Sequence, residues 1–403
     1  MNNKKKYIII ITVLLILVSC DSIFNYQEES KKTWTIMLYV DEDFNTDISR
    51  FNLIKKTLKS NELIDIVVLE DQFNYTAKYW YLDEHEPIVI EEKDELNMGS
   101  SQTLYDFIKY SKENYPARRY LLAIVNHGGA WLGACWDWSH DNDWLTPKEI
   151  EIAIEYNGQL DVLMMVACSM GSIEVAHQFS EITDVYISSE NSAHWDFFAR
   201  SWDEFFSTIY SNLVKSNKIV GKKLVDAIWN AEGINISDKE HEFTFSAIDT
   251  KYLSNVIQNI DELSVYYLNN FTNFKENLDI SIVNLGIFRN NKIDLINLLE
   301  ELYKNESNLE IRSLILETIK SYNEIVIRNK NGNEVEFASG CSIYLPIPSL
   351  ESYNTYYSSR DLNLKFVNDT HWDELLETYF LQSNYKIINN IPEFHQYWDK
   401  SVQ

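Results

Sequence analysis

The 403 residues suffice for one large domain or for two to three ordinary ones. Hydrophobic residues at 45% and charged residues at 24% are ordinary globular values and exclude a disordered or low-complexity chain. The net charge of −26 repels phosphate backbones and anionic headgroups, which sets aside nucleic-acid binding and docking through a basic membrane patch. The same charge suits attraction of cationic substrates and serves plain solubility equally well.

The chain opens on a targeting pattern. Lys4, Lys5 and Lys6 precede an apolar run of 12 residues, 7–18. A transmembrane helix needs about 20, so this is the length of a signal h-region. Leu17-Val18-Ser19-Cys20 then resembles a bacterial lipobox. On that reading residues 1–19 are a removed signal peptide, Cys20 is lipidated, and the loss of three lysines takes the charge to −29. A plain signal peptide with an incidental cysteine is the simpler alternative. Residues 20–32 read as a polar tether holding the rest at the bacterial cell envelope, facing periplasm or exterior. Three further cysteines remain, Cys135, Cys168 and Cys341, an odd number that leaves at least one thiol outside any disulfide. With no CxxC pair or Cys/His ligand spacing, no metal site is expected from them.

From residue 33 onward, apolar strands alternate with helical patterns. Strands are predicted at 33–40 (TWTIMLYV), 64–70 (IDIVVLE), 120–126 (YLLAIVN), 161–167 (DVLMMVA) and 185–189 (VYISS), with a hairpin over 78–82 and 87–91. Helices are predicted at 47–60, 102–114, from Thr146-Pro147 onward, and at 172–181. Continuous apolar strands between helices mean a mostly parallel sheet covered on both faces, an α/β three-layer sandwich. Farther on, helices are expected at 202–213 and 219–230 and a strand at 243–248. Long helical patterns then fill 253–325, before a strand at 342–346 and a helix at 373–382. Eleven glycines and six prolines form no linker, so a core at 33–250 and a mostly helical region at 251–403 are read as one packed body.

In an open parallel sheet, ligands bind beyond the carboxyl ends of the strands. The third strand runs into Asn126-His127-Gly128-Gly129 and the fourth into Cys168-Ser169-Met170-Gly171. A thiol and an imidazole leaving one sheet edge are what nucleophilic acyl transfer requires, the thiolate attacking a carbonyl while the imidazole manages protons. The Gly128 and Cys168 N–H groups are candidates for an oxyanion hole. A helix expected just after Cys168 would lower its thiol pKa through the N-terminal dipole. Taken singly, a strand-end cysteine and a histidine before glycines are commonly structural.

These residues give the sequence its resemblance to the clostripain-like cysteine peptidases, of the clan of caspases, legumain and gingipains. The matching pieces are Trp34 to Tyr39, His127-Gly128-Gly129-Ala130-Trp131, Leu145 to Ile150, Ala167-Cys168-Ser169-Met170-Gly171 through Ala176, and Ser188-Ser189-Glu190 with Trp195 beyond. Weaker echoes are Ser246 to Asp249, Ser342 to Pro346 and Thr370-His371-Trp372. The resemblance implies a caspase-like fold with helical C-terminal additions. It also implies a His127/Cys168 dyad, His127 serving as general acid and base and Cys168 as nucleophile. Protein or peptide substrates follow, with Arg or Lys preferred at P1, no required cofactor, and calcium and internal cleavage as features of some members.

The family's Asp-Ala-Cys becomes Val166-Ala167-Cys168, and its Gly-Gly-Gly-Trp becomes Gly-Gly-Ala-Trp. Loss of that Asp removes a countercharge for a basic P1 side chain. Glu190, Trp195 and Asp196 lie in the stretch expected to wall that pocket, and both carboxylates read equally as solvated loop residues. Asp137, Asp141 and Asp143 offer oxygen ligands for calcium without an EF-hand pattern. Cys135, in an aromatic loop, is read as packed, His177 as structural, and His194 as a minor substrate contact. Two other functions fit the same residues: transpeptidation or transamidation on the same dyad, and a surface binding lipoprotein with a disused site.

Overall fold

The computed structural model describes residues 31–42, 51–55, 57–73, 75–193, 195–230, 242–288, 292–345, 357 and 362–383. In chain order the first half gives β1 (Lys32–Glu42), α1 (Phe51–Ile54), β2 (Ile64–Gln72), β3 (Ala77–Leu82), β4 (Pro87–Lys93), α2 (Ser101–Asn114) and β5 (Ala117–Val125). There follow β6 (Ala134–Asp137), β7 (Asp143–Leu145), α3 (Pro147–Glu155), β8 (Leu160–Val166), α4 (Ile173–Gln178), β9 (Thr183–Ser188), α5 (Trp195–Ser211), α6 (Asn217–Asn230) and β10 (Thr244–Asp249). The remainder comprises α7 (Leu253–Asn269), α8 (Phe271–Ser281), β11 (Ile287–Phe288), β12 (Lys292–Asp294), α9 (Leu295–Asn305), α10 (Leu309–Ile325), β13 (Val326–Asn331), β14 (Ser342–Tyr344), α11 (Lys365–Asp369) and α12 (Trp372–Gln382).

Among the described residues, nine strands form one sheet in the order β13-β10-β9-β8-β5-β1-β2-β3-β4. The middle five, β9-β8-β5-β1-β2, pair in parallel, and each edge is finished by antiparallel strands. Their apolar runs are explained by double-sided burial. Met37, Tyr39, Leu122, Ile124, Leu163 and Met165 face one layer with residues of α2, α3, α4 and α7. Ile36, Leu38, Leu121, Ala123, Val162 and Met164 alternate onto the other, under α1, α5 and α6. This is the three-layer α/β arrangement expected, with a largely parallel centre.

The departures lie where the pattern was weak. The aromatic stretch after His127 holds a small hairpin, β6 with β7, stacked by Trp136 and Trp144 at 5.4 Å between ring centroids. The run expected to be helical across 253–325 is interrupted by β11 and β12, which with β14 make a three-stranded sheet. β13 returns from beyond residue 325 to pair with β10 at the edge of the main sheet. Its residues, VIRNKN, are all half-buried, so no apolar run announced it. The helix expected at 202–213 begins earlier, at Trp195.

Candidate active site

β5 and β8 are neighbours in parallel register, Val125 opposite Val166. Both strands therefore release their turns at the same sheet edge. In the first turn, Asn126 anchors the backbone: its amide donates to the Asp41 carbonyl at 2.9 Å, and its Oδ1 accepts from the His127 and Trp136 N–H groups. The Cys135 N–H donates to the His127 carbonyl at 3.2 Å and the Gly129 N–H to the Gly133 carbonyl at 2.8 Å, two bonds that flank Gly128. Beyond them Trp131 packs on Tyr344 and Tyr357 at centroid distances of 4.3 and 5.4 Å.

The second turn is held as firmly. Ser169 sits in the left-handed region at φ 67°, a conformation that costs a residue with a Cβ and persists where its surroundings determine it. Its N–H donates to the Asn191 carbonyl at 2.7 Å, and the Gly171 N–H to the Ser189 carbonyl at 2.6 Å. The Tyr186 hydroxyl donates to the Met170 carbonyl at 2.8 Å. The helix after Cys168 starts where it was predicted, with Ser172 as its N-cap, and that start lies four residues beyond the thiol. Macrodipole effects fade within the first turn, so the nearby donor at the sulfur is instead a backbone amide, Ala193 N–H to Cys168 Sγ at 3.3 Å.

The turns touch. A Cβ built on Gly128 would lie 2.3 Å from the Cys168 carbonyl oxygen and 3.0 Å from the Ala167 Cβ, so only glycine lets the histidine turn come this close. His127 and Cys168 are both half-buried, while Gly128, Gly129, Ala167 and Ser169 around them are buried. Among the described cysteines none is in a disulfide. Cys135 and Cys341 are fully enclosed, and burial pushes their thiols well above the ordinary range. Among the three described cysteines Cys168 is thus the accessible one, beside an imidazole-bearing turn and under an N–H donor, an arrangement suited to nucleophilic attack with proton transfer.

Beneath the cysteine turn lies an ionisable cluster. Glu190 is 1% exposed, and its Oε2 accepts from the Gly340 N–H at 2.9 Å. Asp294 accepts from the Ser339 N–H and hydroxyl at 2.6 and 2.7 Å, and Glu174 from the Tyr344 N–H at 2.7 Å. Burial raises all three carboxyl pKa values, that of Glu190 most clearly, with Asp294 adding a like charge. Lys292 is wholly enclosed near Glu190 and Glu174 and donates to the carbonyls of Ser169 at 3.3 Å and Glu190 at 2.5 Å. Burial lowers its pKa to about 7. Sequence reasoning missed Lys292, which lies 124 residues from Cys168 in a three-residue strand.

The remaining candidates fall as follows. Glu190 lies under the cysteine turn with its carboxylate engaged by Gly340. Trp195 and Asp196 stand in the first turn of α5, their side chains outside the described set, as are His194 and Cys20. Val166 is 2% exposed and packs in the apolar layer with Leu121 and Met164. His177 is buried and paired with Asp369 at 2.8 Å. Asp137 is buried, accepting from the Met98 and His140 N–H groups, whereas Asp141 and Asp143 are exposed. Ligand atoms of Asp137, Glu95 and His140 lie within 4.8 Å of one another. An imidazole with two carboxylates does not match the all-oxygen shell calcium takes, so this cluster does not fit that ion.

A model of the clostripain family (peptidase C11) matches residues 40–379. Clostripain of Hathewaya histolytica is 30% identical over 186 residues, 36% of this chain. That match spans 35% of the relative's own length, about a third. Among solved structures, a secreted C11 cysteine protease from Bacteroides thetaiotaomicron, in complex with an irreversible peptide inhibitor, aligns with a TM-score of 0.63 at 15% identity, over 85% of this chain and 100% of that one. An inactive zymogen C11 protease from Parabacteroides distasonis aligns with a TM-score of 0.64 at 16% identity, over 84% and 98%. At such identities the two structures speak to the fold alone.

Proposed function

The chain belongs to the clostripain family, and from that premise we propose that it is a lipid-anchored, extracytoplasmic cysteine endopeptidase. The observation that carries this reading is the contact of the two turns, Gly128 against the Cys168 carbonyl, at the carboxyl end of adjacent parallel strands. Cys168 attacks the scissile carbonyl and forms a thioacyl intermediate. His127 takes the thiol proton and delivers it to the leaving amine, then activates the hydrolytic water. The N–H groups of Gly128 and Cys168 stabilise the oxyanion. No cofactor enters this chemistry.

Substrate choice differs from the family's usual pattern at one point. Position 166 carries a buried valine, so no countercharge for a basic P1 residue comes from there. Glu190 is engaged beneath the turn, which leaves Asp196, with Trp195 beside it, as the pair we assign to the P1 side chain. Lipidation of Cys20 follows from the lipobox resemblance and holds the enzyme at the envelope through its tether.

The test uses the soluble form beginning after Cys20, with Cys168→Ala as control, against a fluorogenic peptide library varied at P1. Cleavage by the parent and none by the variant is expected, and Asp196→Asn should reduce turnover of Arg and Lys at P1 relative to neutral residues. Absence of turnover, together with no labelling of Cys168 by a thiol-reactive peptide probe, would replace this reading with that of a binding lipoprotein. Products carrying an added amine nucleophile in place of water would identify a transamidase.

A further inference from the structure

We propose that Lys292 is a positioning residue for Cys168: from below, its ammonium clamps together the carbonyls of Ser169 and Glu190 and so fixes the turn that presents the thiol. The inference rests on the reading of Cys168 as nucleophile.

The geometry is specific. Ser169 follows the cysteine directly and holds a left-handed backbone. Glu190 belongs to the neighbouring segment after β9, the same segment that supplies Ala193 N–H to Cys168 Sγ and the Asn191 carbonyl to Ser169 N–H. An ammonium bonded to both carbonyls, at 3.3 and 2.5 Å, ties the turn that carries the sulfur to the segment that donates to it. A Cβ on Gly171 would meet the Glu190 nitrogen at 2.7 Å, so the two segments are already in close contact next to this clamp.

Lys292 is itself held in place. It lies in β12, opposite Tyr344 of β14, and the Ser342 N–H of β14 donates to the Gly171 carbonyl at 3.0 Å. The small sheet is thus bonded directly to the end of the cysteine turn. A wholly buried ammonium is expensive to desolvate, and an apolar side chain of like volume would fill the same space at less cost. A lysine here gives in return what the apolar side chain cannot: donors for two carbonyls and a positive field at the thiolate. Glu190 and Glu174 approach it from two other segments, Asp294 lies two residues on in its own strand, and a thiolate at Cys168 would favour the charged lysine.

The experiment compares the soluble parent with Lys292→Met and Lys292→Arg. The rate of Cys168 alkylation by iodoacetamide is measured against pH, alongside kcat and KM on a peptide the parent cleaves. Cys135 and Cys341 are enclosed, so alkylation of the folded protein reports Cys168. Lys292→Met should move the alkylation midpoint up by about one pH unit and lower kcat about 10- to 100-fold, with KM within about threefold. Lys292→Arg, which keeps the charge, should hold the midpoint near that of the parent. A Lys292→Met protein with the parent's midpoint and kcat overturns the proposal, as does one that is less stable to heat but unshifted in its alkylation profile. If Lys292→Met fails to fold, by near-ultraviolet circular dichroism, Lys292→Met with Glu190→Gln removes the strongest uncompensated carboxylate and takes the same assay. Failure of the underlying reading looks different: the parent itself would show no alkylation at Cys168 and no turnover.

Discussion

A methyl group at position 128 would sit 2.3 Å from the Cys168 carbonyl oxygen, a backbone atom that cannot swing aside. The smallest possible side chain therefore forces the histidine turn and the cysteine turn apart. A misplacement of about 1 Å in a reacting constellation costs about 100-fold in rate. Gly128→Ala should accordingly lower kcat/KM about 100-fold while circular dichroism keeps the parent's secondary structure; activity within threefold of the parent would mean the turns relax without consequence. His127 and Cys168 were legible because an apolar strand ends immediately before each, and a parallel sheet puts such ends on one edge. Glu190 was legible as a residue near the site, but its burial was not, since a carboxylate in a Ser-Ser-Glu-Asn stretch gives no sign of what closes over it. Lys292 gave no signal at all. Its role depends on β12 being carried back across the chain to the cysteine turn, and contacts across 124 residues leave no periodicity in the sequence.

Among the elements, those with strong local chemistry matched their sequence patterns. Thr146 and Glu149 form the capping box that Thr-Pro at a helix start implies, the Glu149 carboxylate accepting from the Thr146 N–H at 2.9 Å. The five parallel strands were legible for the same reason, both faces being apolar. β11, β12 and β14 span two or three residues each, too few for a period to show, and their pairing is decided by tertiary contacts. A different kind of join links α4 to α11: His177 against Asp369 at 2.8 Å. Burial lowers the His177 pKa below its ordinary 6.5, the Asp369 carboxylate pulls it partly back, and Lys365 and Glu181 nearby act in opposite directions. The unfolded chain binds this proton more readily than the folded one, so burial of the neutral imidazole contributes stability above pH 6.5 that is lost as pH falls through the window just below it. Urea unfolding should show that loss between pH 7 and 5.5, at no more than about 1.4 kcal/mol per pH unit. His177→Gln should flatten the slope. An unchanged slope would locate the acid sensitivity elsewhere.

For the molecule as a whole, the net charge of −26 allows two readings, and they separate in one experiment. If the charge serves only solubility, association with substrate is indifferent to salt. If the field steers substrates, a peptide carrying extra positive charge is drawn in at low ionic strength and loses that advantage as screening shortens the Debye length from about 30 Å at 0.01 M to about 8 Å at 0.15 M. A matched peptide with negative residues distal to the scissile bond should behave oppositely, because the same field repels it until salt screens it. The effect belongs to encounter and not to chemistry. Accordingly kcat/KM for the cationic peptide should fall severalfold over that range and rise for the anionic one, while kcat stays constant for both. The pair controls for general salt effects on the protein, which would move both peptides in the same direction. Such parallel movement would leave the charge to solubility, and any preference for basic substrates would then have to arise wholly within the pocket, to which Asp196 and Trp195 are assigned.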